Sequence, residues 1–330
     1  MAISKKLEQY LKQGTISDKY ATILQYFYED YLNEVSSTGF SKTQCSELFD
    51  VLLDLIIKQI TNPHAFQPYH VQIRHPFDYY AFGLDFLRPL VDPTQSKALG
   101  LDYAKEIDLL VNNGDNVILL ANHQIEGDPQ AISLLLESSF PKLGEHMIFV
   151  AGERVITDPL AAPFSLGRNL LCIYSKRYID QPPELKMQKQ LHNKRTMERM
   201  AELLSEGGKC IYVAPSGGRD RPNEEGVVEV ASFDPQSIEM FYLMALKSRR
   251  PTFFYTLALK TYSLLPPPQT IQVELGELRK TKRGGIQLCF GPKVDMEHYE
   301  GCDHPDKYQR RACRAEQIWN RVVQDYKTLR

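Results

Sequence analysis

His123 and Asp128 lie five positions apart in NVILLANHQIEGDPQAISLLLESS, 116–139. A neutral imidazole can take a proton from an attacking hydroxyl near neutral pH. A carboxylate on its other nitrogen fixes the tautomer and stabilises the imidazolium that forms. No serine or cysteine nucleophile is needed when the acceptor's own hydroxyl attacks. On one continuous helix the two side chains would sit about 140° apart, at roughly 100° per residue, and would not meet. Gly127 and Pro129 break the regularity. The spacing therefore predicts a loop over 123–128 that ends at a helix cap, with Asp128 the N-cap residue and Pro129 in the first turn. A lone His-x4-Asp spacing recurs by chance, and a plain loop histidine beside a helix cap is the alternative. Glu126, between the two, is expected to point outward or to meet the acceptor.

Two further segments carry anion-binding chemistry. In VAPSGGRDRPNEEG, 213–226, a strand is expected to end at Pro215. Gly217 and Gly218 allow backbone amides to approach an anion or an oxyanion as a concave nest. Arg219 and Arg221 add guanidinium groups suited to bidentate phosphate contacts. The run lacks the Gly-Lys-Ser/Thr ending of a P-loop. A polar turn in which Asp220 pairs the arginines is the competing reading. In GRNLLCIYSKRYID, 167–180, a strand delivers Lys176 and Arg177 to its end. A base, a carboxylate and these cations, all placed just after strands, suit deprotonation of a hydroxyl on a phosphorylated acceptor.

The elements that must position these groups are legible in outline. Helical spacing recurs over residues 1–60, broken at 15–18 and 36–41, which predicts a small helical-bundle domain over 1–75. From residue 76 short aliphatic runs alternate with helical segments. Strands are expected at 116–121, 147–150, 171–174, 209–214, 252–259 and 271–275, and helices at 131–137, 194–204, 237–247 and 308–326. That alternation predicts an α/β domain over 76–330, with a mixed, largely parallel sheet flanked by helices. Ligands of such sheets bind beyond the carboxyl ends of the strands.

Composition narrows the function classes. The chain has 330 residues and a net charge of −2, so anion recognition is local and nucleic acid is not an expected partner. Six cysteines fall in no paired short spacing, which favours free thiols in a reducing compartment. His298, Cys302, His304 and Cys313 match no familiar zinc spacing, and no metal or organic cofactor is expected. The first residues, MAISKKLEQYLKQG, lack an apolar signal core. No apolar run approaches the roughly 20 residues of a membrane helix. The expectation is a cytoplasmic protein, or a stromal one if this is a mature organellar form, with at most peripheral membrane contact.

Those segments, in this order, resemble the glycerol-3-phosphate O-acyltransferases, and most of all the soluble plastid-type branch that prefers acyl carrier protein thioesters. The likeness rests on NHQIEGDP at 122–129, FVAGERVITDPLAAPFSLGRNLLCIYSKR at 149–177, APSGGRDRP at 214–222 and YHVQIRHPFDYYAFGLDFLRPLVD at 69–92. It implies that His123 is the base and that Asp128 orients it. It implies that Arg219, Arg221, Lys176 and Arg177 bind the phosphate of glycerol 3-phosphate. Where the branch pattern has Lys-Lys-His, this chain reads Lys176-Arg177-Tyr178. The acyl donor is then an acyl carrier protein or CoA thioester. A basic helix over 183–208, with Lys189, Arg195 and Arg199, is a candidate dock for an acidic carrier protein, or else a solvated helix face. Another phosphorylated acceptor such as lysophosphatidate, a His/Asp hydrolase and a non-catalytic binding module are the competing functions.

Overall fold

The computed structural model describes residues 2–267 and 280–329. The strands are β1 (Tyr69–His70), β2 (Lys97–Leu99), β3 (Asn116–Ala121), β4 (Ile148–Gly152), β5 (Asn169–Ile173), β6 (Cys210–Val213), β7 (Arg221–Pro222), β8 (Val228–Glu229), β9 (Thr252–Lys260) and β10 (Gln287–Val294). Eight of them form one sheet in the order β1-β5-β4-β6-β3-β9-β10-β2. The five central strands, β5 to β9 in that order, run parallel, while β1 pairs antiparallel with β5, and β10 pairs antiparallel with β9 and parallel with β2. The sheet is mixed and largely parallel, as the alternation of segments predicts. The expected strand at 271–275 lies outside the described residues.

Strand β3 is buried along its whole length. Its side chains alternate between two cores, as the two-residue period of a strand requires. Val117, Leu119 and Ala121 face one layer, which also holds Tyr31, Phe49, Phe86, Ile107 and Ile132. Ile118 and Leu120 face the other, which holds Met200, Leu203, Ile238, Phe241, Ile318 and Val322. A strand covered on both faces loses its polar alternation and reads as a continuous apolar run.

Three strands of this sheet were illegible for physical reasons. β1 and β2 have two and three residues, too few to show a period. β10 carries Gly291-Pro292 in its middle, a pair that reads as a break, and its register with β9 shifts between Phe290 and Lys293. Gly291 is needed there, because a Cβ would lie 2.0 Å from the Thr256 hydroxyl.

The N-terminal helices Ala2–Lys12, Asp18–Val35 and Lys42–Thr61 fall between the expected breaks. Ser17 caps the second helix, and Ser41 with Gln44 forms a reciprocal capping box on the third. These helices pack on the rest of the chain through aromatic rings. Phe49 lies 5.2 Å from Phe86 and Tyr31 4.7 Å from Phe86, centroid to centroid. The Tyr31 hydroxyl, fully buried, donates to the Phe86 carbonyl at 2.8 Å. Gln59 reaches the Ile156 carbonyl at 2.8 Å. Phe49→Ala should cost about 3–5 kcal/mol by opening a cavity in this aromatic cluster. Chemical denaturation should register the loss in one transition, because the same rings join the N-terminal helices to the helix Tyr79–Leu87 of the rest of the chain.

Candidate active site

β3 ends at Ala121 and hands the chain to a loop, 122–127, that leads into the helix Asp128–Leu136. Gly127 takes the N-cap position and Asp128 opens the helix, with Pro129 in the first turn. Asp128 is thus not the cap that its type suggested. Its side chain turns back over the loop instead. One carboxylate oxygen accepts from His123 Nδ1 at 2.8 Å, from Gln124 N at 2.8 Å and from Ile125 N at 3.3 Å. The other accepts from the Thr261 hydroxyl at 2.5 Å. Asp128 is 1% exposed, whereas the His123 side chain is 30% exposed. With Nδ1 donating to the carboxylate, Nε2 carries the lone pair, as a general base requires.

The loop is fastened on its other side to the end of β9. Asn122 donates to the Leu259 carbonyl at 2.9 Å and accepts from the Leu259 amide at 2.7 Å. Gln124 Oε1 accepts from the amides of Thr261 and Tyr262 at 2.7 and 2.9 Å. The Tyr212 hydroxyl, from β6, donates to the Asn122 carbonyl at 2.5 Å.

The arginine segment follows β6 and folds against this loop. The Asp220 amide donates to the His123 carbonyl at 2.7 Å. The Asp220 carboxylate accepts from Asn122 at 2.7 Å, from Gln124 at 3.1 Å and from the Ala231 amide at 2.9 Å. It is fully buried in that network. Burial, and then the nearby Asp128 charge, push its carboxyl up to about 6 against the hydrogen bonds it receives. Arg219, 16% exposed, lies 3.7 Å from Glu126, so Glu126 meets this guanidinium. Arg221 sits in the short hairpin β7–β8, opposite Glu229. Lys176, after β5, reaches Asp234 at 2.9 Å, and the Asp234 amide donates to the Pro215 carbonyl at 3.2 Å. The loops after β3, β5 and β6 are therefore linked at one edge of the sheet. The side chain of Arg177 lies outside the described residues.

Two expectations are corrected. Gly217 has a positive φ of 64°, and its amide donates to the Ala214 carbonyl at 3.1 Å. That donor is spent inside the turn, so the Gly217 amide is not open to an oxyanion. Lys189 is no docking residue: it is 8% exposed, and its ammonium donates to the carbonyls of Tyr178 and Gln181. A lysine on the inner side of its helix cannot meet a partner protein. Arg199 is engaged by Glu202 and Glu206 at 2.8 and 3.2 Å and lies over the Tyr69 ring. Arg195 is exposed.

An apolar recess opens beside the loop. Phe27, Phe86, Leu160, Phe164 and Leu265 line it, and Glu126, Gly127 and Arg219 stand at its polar side. No helix among the described residues is long and apolar enough to cross a membrane.

Residues 102–263 match the family described as Acyltransferase. The chain is 37% identical over 320 residues to "Glycerol-3-phosphate acyltransferase ATS12, chloroplastic" of Cucurbita moschata, covering 96% of this chain and 69% of that protein. It is 36% identical over 320 residues to "Glycerol-3-phosphate acyltransferase, chloroplastic" of Arabidopsis thaliana, with the same coverage. The chain belongs to this glycerol-3-phosphate acyltransferase family. A solved structure, the 1-acyl-sn-glycerophosphate acyltransferase PlsC of Thermotoga maritima, overlaps at a TM-score of 0.41 and 16% identity, over 93% of this chain and 97% of that one.

In this acyltransferase the groups that brace the His–Asp pair were missed by sequence reasoning. Thr261 lies 133 positions from Asp128, in a stretch without any motif. Tyr326, in the C-terminal helix Lys307–Thr328, accepts from Gln124 at 3.3 Å across 202 positions. Only the Asn and Gln flanking His123 offered a signal, as amides that need partners once buried.

The raised carboxyl of Asp220 has a thermodynamic consequence. Its folded-state value, about 6, lies above the ordinary 3.8. The stability it contributes is fully present below about pH 4 and is lost as pH rises through about 6. The stability of the wild type relative to Asp220→Asn should therefore decline from pH 4 to pH 7. Urea denaturation of both proteins across that range measures the difference.

Proposed function

We propose that this protein transfers an acyl group from a thioester donor to the sn-1 hydroxyl of glycerol 3-phosphate, giving lysophosphatidate. The observation that carries this reading is the bond from His123 Nδ1 to the buried Asp128 carboxylate at 2.8 Å. That bond leaves Nε2 to receive a proton from a substrate hydroxyl. In the proposed sequence the acceptor oxygen attacks the thioester carbonyl as its proton passes to His123. The tetrahedral intermediate then expels the thiolate, which takes the proton back from the imidazolium. The Asp128 carboxylate stabilises that imidazolium.

Arg219, Arg221, Lys176 and Arg177 are the proposed holders of the acceptor phosphate. The support is positional, since the segment carrying Arg219 and Arg221 is bonded to the His123 backbone through Asp220. The apolar recess beside Gly127 is the proposed seat of the acyl chain. Its wall includes Phe27, so the N-terminal helices would help to bind the donor. The donor is proposed to be an acyl carrier protein or CoA thioester, and a plastid-type setting follows from relatives named as chloroplastic.

Acyl transfer from both donors to glycerol 3-phosphate, with glycerol and lysophosphatidate as control acceptors, tests the reading. His123→Ala should lower kcat by roughly 10²–10⁴-fold while the fold survives. An active His123→Ala protein would remove the assignment. Arg219→Ala should raise KM for glycerol 3-phosphate by roughly tenfold to a hundredfold, the worth of a charged hydrogen bond. An unchanged acceptor dependence would take Arg219 out of the phosphate site.

A further inference from the structure

The loop bearing His123 and the segment bearing Arg219 and Arg221 are held in different ways. The His123 loop has anchors of its own. Asn122 is bonded twice to Leu259, Gln124 is bonded to Thr261 and Tyr262, and Asp128 is bonded to Thr261. All of these fasten it to the end of β9. The arginine segment leaves β6 at Val213 and makes a long excursion through the hairpin β7–β8. Within it, the Asp220 carboxylate gathers three donors from two places. Asn122 and Gln124 come from the His123 loop, and the Ala231 amide comes from the far end of the excursion. One side chain thus ties both ends of the arginine segment to the two residues that flank the base. Arg219 and Arg221 are its immediate neighbours in sequence.

We propose that Asp220 is a positioning residue that sets the separation between the phosphate-binding arginines and His123. An acceptor gripped by its phosphate is then presented with its hydroxyl at the imidazole. This inference rests on the acyl-transfer reading and deepens it. An acceptor without a phosphate does not use that grip, so it should depend on Asp220 less. Removing the carboxylate leaves the His123 loop its anchors on β9 but releases the arginine segment from Ala231, Asn122 and Gln124. Misplacement by about an ångström is enough to cost a reaction up to a hundredfold.

The test is the ratio of kcat/KM for glycerol 3-phosphate to kcat/KM for glycerol, measured with one acyl thioester. In Asp220→Asn this ratio should fall by roughly tenfold to a hundredfold. Asp220→Ser, which removes the carboxylate without leaving an amide facing other donors, should lower it as well. A parallel fall for both acceptors, with the ratio kept, would overturn the proposal and leave Asp220 a purely structural residue. Loss of a cooperative thermal transition in both variants would overturn it in the same way. A wild type that acylates glycerol but shows no preference for glycerol 3-phosphate would instead remove the phosphate reading on which the inference stands.

Discussion

The buried carboxylate of Asp128 organises the centre of this molecule. A charge taken out of water is costly unless donors replace its hydration. Asp128 recovers those donors from His123, from two loop amides and from Thr261. To supply them the chain must turn sharply after β3, start a helix at Asp128 and bring the end of β9 alongside. The histidine inherits its orientation from that requirement. It is only one of four donors, and the other three hold the carboxylate in place while the imidazole gains or loses a proton.

Another buried carboxylate, Asp220, extends the same logic to the neighbouring strand. Burial, and then the nearby Asp128 charge, raise its carboxyl. Its donors, Asn122 and Gln124, are also partners of β9. The ends of β3, β6 and β9 are therefore joined through a few shared amide side chains. Parallel neighbours make this possible. β6, β3 and β9 run in the same direction, so the loops leaving them emerge on one edge of the sheet.

Around this edge the helices divide their work by face. One layer, with the N-terminal helices, builds the aromatic packing that continues into the recess beside Gly127, where Phe27 and Phe86 appear again. The other layer carries the C-terminal helix, whose Tyr326 meets Gln124. Lys189 illustrates how packing can redirect a charge. It lies on a helix rich in exposed lysine and arginine, yet its ammonium is turned inward to bind two carbonyls of the loop that follows Lys176 and Arg177.

The sequence by itself determined the elements and the chemistry that local order can encode. The apolar run of β3, the Gly127–Pro129 break and the Arg219-Asp220-Arg221 cluster are local signals, and each lies where its pattern indicates. Local pattern also favoured a loop that lets His123 meet Asp128, since a helix would have kept them about 140° apart. What only the tertiary structure decided is which distant groups complete the site. Thr261, Tyr326 and Tyr212 arrive from other strands and helices, and nothing in their own neighbourhoods marks them. The direction in which Lys189 and the Gly217 amide spend their donors was decided in the same way. A residue type states which hydrogen bonds a side chain can make. Packing decides which partner is within 3 Å of it, and that depends on chain segments separated by a hundred residues or more.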